Sequence, residues 1–145
     1  MGFTICIKKL CADAIVPERH SEYAAGFDLH CVEGGSIPPG MTAVISTGIS
    51  IEMPLDKKMY GQIFSRSGMA ARHSVMAMGG VIDADYRGEI KVILHNLGTQ
   101  EYVYEKGARV AQFVPLQLMD VEGFVLVRDI NNTNRGENRF GSTGC

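Results

Sequence analysis

The chain has 145 residues, of which 46% are hydrophobic and 21% charged, a balance that predicts one folded domain rather than a disordered polymer. Its formal net charge of −2 gives no general electrostatic case for a nucleic-acid or membrane surface. No segment approaches the ~20 consecutive apolar residues that a membrane-spanning helix needs.

The start, MGFTICIKKLCADA, places its lysines after a short apolar run, so no signal peptide is expected. Gly2 is followed by Cys rather than Ser or Thr at position 6, which argues against myristoylation. Cys6, Cys11, Cys31 and Cys145 show no C-x-x-C spacing and read as free or buried thiols in a reducing compartment. An intracellular placement, cytoplasmic or nuclear, is the expectation. His20, His30, His73 and His95 are scattered and form no zinc-hydrolase or zinc-deaminase signature.

Along the chain, Phe3 to Lys8 alternates as a strand with one wet face. A polar loop, PERHSEY (17–23), precedes AAGFDLHC (24–31), a short strand that carries Asp28. GGSIPPG closes in a Pro-Pro-Gly turn, and Thr42 to Met53 follows as two apolar runs split at Thr47-Gly48. LDKK reads as a turn and MYGQIFS as a strand. SRSGMAARHS (65–74) breaks the β pattern: Met69-Ala70-Ala71-Arg72 favours helix, beginning at Ser67-Gly68. Unpaired amides at such a helix start suit a phosphate, although an S-G before a single helical turn is more often just a cap.

The most distinctive stretch is MGGVIDADYRGEIKVILHN (78–96). Two short extended arms bend around Asp83, Asp85 and Tyr86, with Gly79-Gly80 and Arg87-Gly88 as turn residues. If the backbone stays extended, Asp83 and Asp85 share one face and Ile82 takes the other. After the bend, Ile90, Val92 and Leu94 line one face of a strand, and Glu89, Lys91 and Ile93 the opposite one. Glu101 to Tyr104 is a short strand, Ala108 to Leu118 a long one interrupted by Pro115, and Phe124 to Val127 the last. Turn signals at roughly 8–12-residue intervals, with no long helical period, predict an all-β sandwich or barrel with one short helix. The final stretch, DINNTNRGENRFGSTGC, is too polar to order itself and reads as a flexible arm. Within it Phe140 could stack on a base, and Arg135, Arg139 and the hydroxyls could hold phosphate oxygens.

Taken together, AAGFDLHC (24–31), SRSG (65–68), GGVIDADYRGEIKVILHN (79–96), GARVAQFV (107–114) and RGENRFGSTG (135–144) resemble, in order, the five motifs of the trimeric dUTPase family. The resemblance implies a jelly-roll-like β domain (1–128) and a C-terminal arm (129–145) that closes over a site built by other subunits of a homotrimer. It implies hydrolysis of dUTP to dUMP and pyrophosphate with Mg²⁺, limiting uracil incorporation into DNA and supplying dUMP for dTMP synthesis. Direct nucleic-acid and membrane binding are not expected.

Residue by residue, the resemblance makes Asp83 the acid that orients and deprotonates the attacking water. Tyr86 is the ring that packs on deoxyribose and excludes a 2′-hydroxyl. The backbone around Gly80, Val81 and Ile82, and at Lys91 beyond the bend, would read the uracil edge. Arg66, Ser67 and Gly68 correspond to the phosphate motif, and Gln112 to the glutamine near the α-phosphate and water. Asp28 corresponds to a position joined to the metal only through water. Arg135, Phe140, Gly141, Ser142 and Thr143 correspond to the arm that covers uracil and the γ-phosphate.

Two positions depart from the family pattern: Asn138-Arg139 replace the usual small glycines before Phe140, and Ser65 stands where proline is common. Two other readings remain. One is a non-catalytic trimeric β module kept for protein contacts, which would not need Asp83, Tyr86 and the whole arm together. The other is the related dCTP deaminase class, whose motifs these residues match less well.

Overall fold

The computed structural model describes residues 2–137. Phe140, Gly141, Ser142 and Thr143, expected to cover the nucleotide, lie outside the described residues. Eleven regular segments follow the alternation of apolar and polar residues. They are β1 (Cys6–Lys9), β2 (Phe27–His30), β3 (Gly35–Ile37), β4 (Thr42–Glu52), β5 (Met59–Phe64), α1 (Ser67–His73), β6 (Val75–Met78), β7 (Val81–Ile82), β8 (Glu89–Asn96), β9 (Tyr102–Tyr104) and β10 (Arg109–Gln117). A 3-10 turn, Leu55–Lys57, links β4 to β5.

Two four-stranded sheets, ordered β1-β4-β8-β6 and β2-β10-β5-β7, make the jelly-roll-like fold, and β3 pairs with β9 beside them. Every strand pairing is antiparallel. One face of the first sheet buries Ile45, Ile49, Ile51, Val75, Ile90, Val92 and Leu94. These meet Leu29, Met59, Ile63, Val110, Ala111 and Phe113 of the second sheet in a single apolar core. At roughly 1.5–3 kcal/mol per fully buried large aliphatic side chain, this packing is the main source of stability. The buried polar residue Asn96 is fully used: its amide donates to the carbonyls of Ile37 and Gln100 at 2.8 and 2.7 Å, and its oxygen accepts from Gly98 N–H at 2.9 Å. It therefore costs little to bury.

Several local expectations hold. The helix begins at Ser67, and Ile90, Val92 and Leu94 share the buried face of β8. Gly48, at the split in β4, has φ of +67° and lies inside a register shift between Ser46 and Ser50, so the strand bulges there. Others are corrected. The first strand starts at Cys6 rather than Phe3, and β3 and β6 are additional strands. Pro115 does not interrupt β10: it lies beyond Phe113, the last residue paired to β2, where that edge needs no amide donor.

The largest correction concerns Phe124–Val127, which forms no strand. Among the described residues regular structure ends at Gln117, and Phe124 and Leu126 are 101% and 99% exposed. The residues have strand-forming chemistry, but neither sheet of their own chain pairs with them. Among the described residues no helix is long and apolar enough to cross a membrane. Cys6, Cys11 and Cys31 form no disulfide among the described residues.

Candidate active site

The bend between β7 and β8 forms one half of the site. Gly79 and Gly80, with φ of +63° and +101°, carry the chain out of β6 through a conformation that side-chain-bearing residues rarely adopt. A Cβ on Gly80 would stand 2.8 Å from the carbonyl oxygen of Ile63, so β5 lies directly against it. The Ile63 N–H donates to the Gly80 carbonyl at 2.7 Å, and the Gln62 amide donates to the Gly79 carbonyl at 3.3 Å. The bend is thereby bolted to the second sheet.

Beyond Ile82 the backbone turns instead of staying extended. Tyr86 N–H returns to the Asp83 carbonyl at 3.1 Å, so Asp83 and Asp85 do not share a strand face. Arg87 Nη1 donates to the carbonyls of Ala84 and Tyr86 at 2.8 and 3.0 Å, tying the turn from inside. The Tyr86 hydroxyl donates to the Glu89 carbonyl at 3.1 Å. A Cβ on Gly88 would collide with that hydroxyl oxygen, so Gly88 is the seat of the ring.

Val81, Ile82, Asp83, Tyr86, Glu89 and Lys91 line a cleft of about 210 Å³. Glu89, absent from the sequence-based set, is a wall of that cleft. Its carboxylate accepts from Ser46 Oγ at 2.5 Å and Gly48 N–H at 2.9 Å, and Lys91 Nζ lies 3.6 Å away. Burial pushes its carboxyl pKa up, but those hydrogen bonds and the lysine outweigh burial and leave it below the ordinary carboxylate range.

The second half lies where β2, β10 and the start of α1 converge. Arg66 is the residue before the helix, and its guanidinium reaches Asp28 Oδ1 at 3.4 Å and the Arg109 carbonyl at 3.2 Å. The amides of Ser67 and Gly68 have no acceptor among the described residues; Met69 and Ala70 are the first to return, both to the Arg66 carbonyl. Gln112 faces the same region, with its amide donating to the Ser65 carbonyl at 3.0 Å. Gly26 makes room for it, since a Cβ there would collide with Gln112 Oε1.

Asp28 is largely buried between Arg66 and Arg109. On the same strand, burial holds His30 below its ordinary pKa of 6.5, and its buried Nδ1 has no partner among the described residues. Gly26, Glu89 and Arg109 escape sequence reasoning because their roles depend on which distant segments meet, and no spacing encodes that. Arg135 is described, and lies in the exposed segment after β10.

Within the described residues of one chain the two halves share no direct polar contact. No hydrogen bond or ion pair among the described residues joins Asp83 or Tyr86 to Arg66, Asp28 or Gln112. The first half offers a carboxylate beside a snug slot with an aromatic wall. The second offers a cation, free amides and an amide side chain suited to an anion.

A family model described as dUTPase matches residues 12–144. The deoxyuridine 5′-triphosphate nucleotidohydrolase of Paramecium bursaria Chlorella virus 1 is 41% identical over 141 residues, spanning 97% of this chain and 98% of the viral protein. Among solved structures, the Staphylococcus bacteriophage 80alpha dUTPase with dUpNHpp superimposes with a TM-score of 0.89 at 26% identity, covering 98% of this chain and 99% of that one. A mutant dUTPase of S. aureus phage phi11, whose structure describes coordination of a structural Mg(II) ion, shares the fold with a TM-score of 0.80 at 22% identity, over 90% of this chain and 100% of that one.

Proposed function

The chain belongs to the dUTPase family, and from that premise we propose that it hydrolyses dUTP to dUMP and pyrophosphate by attack of water on the α-phosphorus. The observation that carries the reading is the Asp83–Tyr86 cleft: an exposed carboxylate beside a slot whose walls are fixed by internal hydrogen bonds. Asp83 takes the water's proton and aims its lone pair. A carboxylate within hydrogen-bond reach of the nucleophile typically contributes about 10²–10⁴-fold. Tyr86, seated on Gly88, stacks on the sugar and leaves no space for a 2′-hydroxyl. Backbone groups around Gly80, Val81, Ile82 and Lys91 read the base edge. The Gly80 carbonyl already accepts from Ile63 N–H, which holds the bend against β5 and leaves one of its lone pairs beside the other backbone groups of the bend. Arg66, Ser67 and Gly68 hold phosphate oxygens, and Gln112 positions the water and α-phosphate.

Among the described residues no cluster of three or more His, Cys, Asp or Glu could cage a metal. That donor set fits Mg²⁺ carried by the substrate's phosphates and its own waters, with Asp28 as a water-mediated contact. When bound, the ion would neutralise phosphate charge. The positioning falls to the protein's own groups.

A homotrimer accounts for the separation of the two halves, with the bend of one copy facing the Arg66 half of the next. It also gives the apolar Phe124–Val127 segment a seat. β1 is an edge strand, and an apolar cleft of about 480 Å³ lined in part by Phe3, Ile5, Ile7, Phe27 and Phe113 lies beside it. The arm, from Arg135 through Phe140 and Gly141-Ser142-Thr143, then covers uracil and the γ-phosphate. Pyrophosphate release from dUTP, with Asp83→Asn as control, tests the assignment. Turnover by the natural chain that falls at least about a hundredfold in the variant supports it; no turnover by the natural chain overturns it.

A further inference from the structure

Arg66 is held in a way that singles out a second arginine. A guanidinium is planar and donor-only, so its aim is fixed by the acceptors it meets. Arg66 meets two: the side chain of Asp28 on β2 and the main-chain carbonyl of Arg109 on β10. Nη2 is left as the nitrogen without a partner among the described residues. Both acceptors depend on Arg109.

The carbonyl is set by the backbone of β10. Arg109 pairs with His30, and Ala111 with Leu29, so Val110 is an extra residue and β10 bulges there. A bulge bends its strand locally and so sets the direction of the backbone groups beside it. The carbonyl of Arg109, the residue just before the bulge, takes Arg66 Nη1 at 3.2 Å.

The side chain acts on the other acceptor. Arg109 Nη1 lies 3.4 Å from Asp28 Oδ2, while Arg66 Nε lies 3.4 Å from Oδ1, so each arginine takes one oxygen of the same carboxylate. Asp28 is only 17% exposed at its side chain, and a carboxylate this enclosed depends on its charge partners to stay ionised and in place. Arg109 Nη1 is itself pinned by His20 Nε2. The loop carrying His20 is tied to β2 through Asp28 N–H and the Glu18 carbonyl at 3.0 Å. The order of support is therefore His20, Arg109, Asp28, Arg66, drawn from the loop 17–23, β10, β2 and the start of α1.

We propose that Arg109, braced by His20, is a positioning residue for phosphate recognition: it holds Asp28 so that Arg66 presents its free Nη2 to the substrate's phosphate oxygens. This rests on the reading of Arg66 as a phosphate ligand. In the full chain, Arg109→Gln raises KM for dUTP by about tenfold with kcat changed far less, because what the substitution removes is binding and aim. Affinity for deoxyuridine, which has no phosphate, stays within about twofold, and Arg109→Lys, which keeps a cation beside Asp28, recovers part of the affinity. In an Arg66→Ala background, Arg109→Gln adds less than about twofold, since coupled residues do not act additively. Effects that multiply, or an equal fall in deoxyuridine affinity, would overturn the proposal in favour of a plain stabilising role. The Nε–H resonance of Arg66 in nucleotide-free protein reads the hold directly. It shifts toward that of a free guanidinium in Arg109→Gln, and an unmoved resonance refutes the support chain. Failure of the natural chain to split dUTP would instead remove the functional reading and leave that resonance test standing.

Discussion

The β core and the segment after β10 contain the same kinds of apolar residue and treat them oppositely. Val75, Val92, Leu94, Val110 and Ala111 have no accessible surface, whereas Phe124, Val125, Leu126 and Ile130 stand almost wholly in solvent. Exposed large side chains in sequence are costly to a lone molecule, and contiguous apolar surface of this kind marks a place where another surface belongs. The core is a finished structure, and the segment is half of one. The same division runs through the site, whose two halves are each well tied to the fold but not to one another.

Removing the arm tests the contrast most severely. A chain ending at residue 134 should keep the thermal midpoint of the full chain, because the core among the described residues is built without residues 129–137, while dUTP turnover falls by about a hundredfold or more as cover and charge disappear. A parallel drop in stability would show that core and tail are one unit. Next in size is a pair of substitutions measured by sedimentation and by thermal unfolding. Leu94→Ala, in the core, should cost about 2–5 kcal/mol of stability. Leu126→Asp should leave the subunit folded but shift the proposed trimer toward monomers. If Leu126→Asp unfolds the chain without changing its association, the segment belongs to its own subunit after all.

A smaller effect sharpens the comparison inside the site. Gly88→Ala removes the seat of the Tyr86 ring, and the preference for dUTP over UTP should relax by about tenfold, while dUTP binding changes less. An unchanged ratio would place the sugar elsewhere. Smallest is a pH effect. The Glu89 carboxyl has its pKa lowered on folding, so it stabilises the native state above its unfolded value of 4.5, and that contribution is lost as pH falls through the lower folded value. The acid limb of a thermal-midpoint profile should therefore be shallower in Glu89→Gln than in the natural chain.

Much of this is legible in the residues themselves. The period-two pattern of β8, the helix start at Ser67 and the bulge glycine at Gly48 all follow from local chemistry, and local chemistry is what a sequence displays. Phe124–Val127 is readable as strand-forming, but pairing needs a partner, and neither sheet of the chain supplies one. The extended reading of Asp83 and Asp85 fails because a single hydrogen bond, Tyr86 N–H to the Asp83 carbonyl, decides for a turn. The Arg66 and Asp28 assignments rest on motif likeness, whereas Arg109, His20 and Gly26 become visible only once strands far apart in the chain are side by side.

The plug in the β4 bulge has a consequence for how this protein can change. Glu89 spans two jobs, sealing Ser46 and Gly48 with its carboxylate and anchoring the Tyr86 hydroxyl with its carbonyl. A framework irregularity and a wall of the slot thus share one residue, and drift in either is felt by the other. A laboratory selection for acceptance of ribonucleotides should accordingly return substitutions at Ser46 and Gly48 as well as at Tyr86, although neither lines the cleft.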